Sequence, residues 1–117
     1  GKALREVVEA KYGAPKSRIT RVEEVVDQGG NTVRRQFVKN QDDLLEEATG
    51  RMGNLDDWVE RKPDFWRKKD GSMEIEISPG HPHLGEGAHV KMMEFDPTKG
   101  AKGGMRVIEK IFVEGFE

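Results

Sequence analysis

The sequence predicts an α+β domain in which N-terminal helices pack on a roughly four-stranded antiparallel sheet. Three observations carry that reading. Apolar residues near the start recur at helical spacing, the pattern changes to period two beyond Asp64, and Asp70-Gly71 sits between two alternating runs as a hairpin signal. At 117 residues the chain has room for one core. Residues 1–117 therefore read as a single domain, helical over about 1–60 and sheet over about 64–115.

Leu4, Val7, Val8 and Lys11 share one helical face, and Gly13 with Pro15 stops it, so residues 2–12 form a short amphipathic helix. Ile19, Val22, Val25 and Val26 fit a helical face as well as a strand. The turn-rich run 27–31 followed by the β-rich run 32–38 favours a hairpin. Asn40 is a good N-cap, with Asp42 and Asp43 placed where the helix dipole welcomes acid. Leu44, Leu45 and Ala48 then face the core, and Gly50 or Gly53 ends the helix. A second short helix is expected from Asn54 or Asp56, burying Trp58 and closed by Pro63. The four sheet strands are expected at 65–69, 72–77, 89–95 and 105–113, the last two joined by the glycine-rich run 96–104.

Composition narrows the function. Hydrophobic residues make up 34% and charged residues 36%, which implies a thin core beneath a charged surface. The absence of cysteine excludes disulfides, thiolate catalysis and Cys-ligated zinc. No run of about 18 apolar residues is present, so no membrane partner is expected. A net charge of −2 gives no general basic footprint, and nucleic-acid contact would have to be local. The chain begins Gly-Lys-Ala-Leu, as a domain cut from a longer polypeptide would.

The chemistry concentrates in residues 79–91, which hold all three histidines, His81, His83 and His89, with Glu86 and Lys91. Imidazole is the side chain that exchanges protons near neutral pH without help from its surroundings. Strand alternation puts His89 and Lys91 on one face of their strand, and Glu74 and Glu76 on one face of the strand before it. Two imidazoles either side of a phosphate can serve as general base and general acid, with a lysine stabilising the phosphoryl oxygens. On RNA, the base would take the 2′-OH proton, the 2′-oxygen would attack phosphorus, and the acid would protonate the leaving 5′-oxygen. No cofactor or metal is needed. His81, His83, Glu86, His89 and Lys91 are thus the candidate catalytic set. Arg106 and Lys110 on the last strand, and Trp66 with Lys68 in an aromatic-basic run, are candidate substrate contacts.

A competing chemistry uses the same imidazoles. His81-x-His83-x-x-Glu86 followed by His89 offers ligands for zinc or non-haem iron, as in a metal-dependent hydrolase or oxygenase. It resembles the cupin metal motif, with the glutamate one or two positions early and no second histidine motif. A non-enzymatic alternative is an interaction module whose Gly/Pro loop binds a protein.

The segments 36–45, Gly80-His81-Pro82-His83, Gly85-Glu86-Gly87-Ala88-His89-Val90 and 107–115 together resemble the C-terminal toxin domains of bacterial polymorphic toxins, including contact-dependent inhibition systems. The likeness spans about residues 30–117. His89-x-Lys91 leading to Phe95-Asp96-Pro97 is similar to the His…Phe-Asp-Pro segment of ribosome-cleaving colicins. This resemblance implies a ribonuclease of the barnase, EndoU and colicin type that acts without metal on tRNA or rRNA. It also implies delivery within a larger effector, action in the target-cell cytoplasm, and a cognate immunity protein as partner.

Overall fold

The computed structural model describes residues 18–80, 83 and 87–116. The expected helix at 2–12 lies outside the described residues. From Arg21 onward the chain forms a seven-stranded mixed sheet with one α-helix on one face. This overturns the expected helical half on a four-stranded antiparallel sheet, because three further segments join the sheet.

Two of the three form the N-terminal hairpin. β1 (Arg21–Val26) and β2 (Thr32–Val38) pair antiparallel around the 27–31 turn. Asp27 Oδ1 accepts from the amides of Gly29 and Asn31, both at 2.9 Å, and Gly30 adopts φ +81°, which glycine reaches at no steric cost. The helix α1 (Gln41–Met52) comes next, with Asn40 accepting from the Asp43 amide as N-cap and Gly53 ending it at φ +71°. Leu44, Ala48 and Met52 are its buried stripe, whereas Leu45, expected inside, is 42% exposed.

The third segment is where the expected second helix should lie. Only a 3₁₀ turn forms, at Leu55–Asp57, and β3 (Trp58–Lys62) begins at once. Trp58 is buried as expected, its indole N–H donating to the Met52 carbonyl at 2.8 Å. Pairing with β4 (Phe65–Lys68) decides the matter for strand, since Val59 and Glu60 match Arg67 and Trp66 in register.

β5 (Met73–Ser78), β6 (His89–Asp96) and β7 (Gly104–Val113) agree with the expected strands, and the Asp70-Gly71 hairpin joins β4 to β5. The strand order is β1-β2-β7-β6-β5-β4-β3. After β2 the chain crosses the sheet through α1 to the far edge, then walks back strand by strand until β7 docks parallel to β2.

α1 lies over β2, β7, β6 and β5. Two cross-strand rows meet it: Gln36, Ile111, Val90 and Ile77, then Met92, Ile75 and Trp66. Ile75, Val90 and Ile111 are fully buried, each contributing about 1.5–3 kcal/mol by leaving water. Among the described residues no second layer covers the opposite face, as antiparallel sheets commonly allow. None of the described helices is long and apolar enough to cross a membrane.

Candidate functional site

The face opposite α1 is built by the residues that alternate with those beneath the helix, and Val33, Phe37 and Glu74 on it are buried. Register fixes three rows across its central strands. Arg21, Phe37, Phe112, His89 and Ser78 form the first. Glu23, Arg35, Lys110, Lys91 and Glu76 form the second. Val25 with Val33, and Val107 with Met93 and Glu74, form the third.

His89 and Lys91 therefore share a face, as strand alternation required, and Glu76 stands directly across from Lys91. His89 Nδ1 lies 3.0 Å from the Gly87 carbonyl. A carbonyl only accepts, so the ring donates through Nδ1–H and keeps the Nε2 lone pair for a proton from elsewhere. Its ring sits 5.7 Å from Phe112, which stacks on Phe37 at 5.8 Å. The Arg35 guanidinium lies over Phe112 at 5.0 Å, and that of Arg21 over Phe37 at 3.8 Å.

The second row concentrates charge. Arg35, Lys110 and Lys91 are neighbours on three adjacent strands. Arg35 is held by Glu23 at 3.4 Å, but among the described residues neither lysine has a carboxylate within ion-pair distance. Like charges placed directly opposite each other destabilise a sheet. An anion lying between Lys91 and Lys110 would reverse that repulsion. Glu74, by contrast, is spent on structure: it is buried and takes two hydrogen bonds from Arg67, at 2.9 and 3.1 Å.

The other expected residues fall elsewhere. His81 and Glu86 lie outside the described residues. His83 is exposed in the connection between β5 and β6. Arg106 does not join Lys110, because a bulge intervenes. Met92 pairs with Glu109 and Met93 with Val107, leaving Ile108 as an extra residue on β7. That insertion reverses the alternation, so Arg106 turns to the helix side, where it meets Glu94 at 3.4 Å. Trp66 also points to the helix side and packs against the core, so it offers no ring to a base on the opposite face. Lys68 is on that same side, across from Trp58.

Arg35 and Phe112 belong to the site and were missed. Their signal is the period-two set Val33, Arg35 and Phe37, but the strand that brings Phe112 beside it lies about seventy-five residues on and pairs in parallel. Among the described residues no three His, Asp or Glu side chains gather in a metal-holding group. The chain matches no protein-family model, no curated protein and no solved structure.

Proposed function

We propose that the sheet face opposite α1 binds a phosphodiester of RNA and cleaves it without a metal. The observation that carries this reading is the juxtaposition of Lys91 and Lys110, two neighbouring cations with no carboxylate partner among the described residues, next to an imidazole whose Nε2 is left as a proton acceptor. The two ammonium groups hold the non-bridging phosphoryl oxygens. His89 Nε2 takes the ribose 2′-OH proton, the new O2′–P bond forms, and the P–O5′ bond breaks. The leaving 5′-oxygen takes a proton from an acid in the β5–β6 connection, for which His83 is the described candidate. Phe112 gives the ribose or base an apolar surface beside the imidazole.

The resemblance to polymorphic-toxin domains supports the biological setting: an effector domain delivered to a competing cell, acting on tRNA or rRNA there, and neutralised by an immunity protein. The mild acidity of the chain makes nucleic-acid contact a local matter, and this row of cations supplies it.

The test is incubation of the purified domain with total RNA in EDTA, followed by mapping of the ends. Fragments ending in 2′,3′-cyclic phosphate are expected. RNA left intact with and without added metal would refute the proposal.

A further inference from the structure

Beside the cation row the sheet carries a cavity of about 240 Å³, lined by Val25, Asp27, Val33, Arg35, Val107 and Lys110. We infer that it seats the nucleobase adjoining the phosphate held by Lys91 and Lys110, and that this base bears an exocyclic amino group. The inference rests on the phosphodiester reading of the neighbouring row.

Size and lining select the occupant. The cavity is smaller than the roughly 300–1,000 Å³ of sites that enclose drug-sized molecules, and takes one heteroaromatic ring system. Three valines from β1, β2 and β7 give that ring apolar contact. Of the charged walls, Arg35 is paired with Glu23, and Lys110 is left to hold a phosphate attached to the occupant. Lys110 belongs both to this lining and to the pair with Lys91. Met93, two residues beyond Lys91, pairs with Val107 in the lining. Cavity and phosphate site are thus about one strand spacing and two residues apart, roughly 5–7 Å in each direction, which one nucleotide spans.

Asp27 supplies the selectivity. Its Oδ1 is occupied by the Gly29 and Asn31 amides, and Oδ2 has no partner among the described residues. A carboxylate oxygen only accepts, so it favours a base that presents an amino group. Adenine, guanine and cytosine have one, whereas the donor of uracil is its imide N3–H, flanked by two carbonyl oxygens that a carboxylate repels.

The experiment is methyl NMR on the whole chain during titration with adenosine, cytidine and uridine 3′-monophosphates and with ribose 5-phosphate. The Val25, Val33 and Val107 methyls are expected to shift with the adenosine and cytidine nucleotides. Uridine monophosphate should bind about tenfold more weakly, the order of effect of one unmatched group in a pocket. Ribose 5-phosphate should leave the valines unmoved. Val25 is 41% exposed, so Val25→Trp fills the cavity from its open side. It should weaken adenosine monophosphate by about tenfold while Val90 and Ile111 methyls keep their positions. Asp27→Asn keeps one oxygen for the turn amides and offers an amide N–H in place of Oδ2, so it should shift preference toward uridine. Valine methyls that ignore every nucleotide while RNA is still cleaved would overturn the base pocket and leave the cleavage proposal standing. Valine shifts with intact RNA would support the pocket and overturn cleavage.

Discussion

Lys91 on β6 stands directly across from Lys110 on β7, with Glu76 as its neighbour on the other side, and among the described residues neither lysine forms an ion pair. Removing one of them should separate stability from function. Lys110→Met is expected to raise the stability of the free domain by about 0.2–1 kcal/mol, the scale of a relieved cross-strand repulsion. The same variant should bind single-stranded RNA more weakly, and the slope of log affinity against log salt should fall by about 0.7, the value for one lost phosphate contact. Chemical denaturation and a salt titration of binding measure the two effects. A drop in stability together with an unchanged salt slope would assign the lysine to packing alone.

His89 depends on the backbone behind it. The Gly87 carbonyl receives its Nδ1–H, while the Gly87 amide donates to the Phe116 carbonyl at 3.0 Å. His89→Ala should reduce RNA cleavage by about 10²–10⁴, the contribution of one proton-transfer group, with circular dichroism unchanged. At Gly87 a Cβ would lie 2.2 Å from the Phe116 carbonyl oxygen. Gly87→Ala should therefore displace the 114–116 segment and turn the imidazole out of line. Lower kcat and faster exchange of the residue-87 amide are the expected readouts.

Arg51 closes a polar cluster under α1. It donates to Gln36 at 2.8 Å and lies 3.5 Å from Glu109, and both of those side chains are buried. Arg51→Ala leaves two buried acceptors without this donor, which should cost about 1–3 kcal/mol. Leu45→Ala, on the exposed side of the same helix, should cost much less. Urea unfolding of the two variants compares them directly.

Two turns should respond to acid. The Ser72 hydroxyl and amide donate to Asp70, and those of Thr98 donate to Asp96, and these hydrogen bonds hold both carboxyls below their usual value of 3.8. A depressed carboxyl pKa contributes stability that is fully present above the unfolded value. It is lost as pH falls below about 3.8 toward the folded value. Carboxyl and amide NMR shifts followed through this range should show both turns loosening together, and Asp96→Asn should remove the response at Thr98 alone.

Much of the local structure was legible in the sequence. The Asp70-Gly71 hairpin, the strands of β5, β6 and β7, the Asn40 cap and the shared face of His89 and Lys91 all follow from turn chemistry and alternation. Non-local pairing was not legible. Residues 58–62 carry helix-compatible charges, and only β4 alongside makes them a strand. Near residue 108 the alternation slips, with Val107-Ile108 both apolar and Glu109-Lys110 both charged, but such a slip does not by itself distinguish a bulge from a strand buried on both faces. That single extra residue separates Arg106 from Lys110. The parallel match of Arg35 to Lys110 couples segments about seventy-five residues apart, and such couplings leave no mark in local periodicity.

The placement of β7 between β2 and β6 has a bearing on when the protein can act. Every row described on the face opposite α1 passes through this strand, which supplies Lys110 and Phe112. Until the ribosome has made it, the first hairpin has no neighbour to join and the returning strands end in an open edge. A nascent chain therefore cannot assemble this face piecemeal: the row of Arg35, Lys110 and Lys91 exists only once β7 has been made and has docked between β2 and β6.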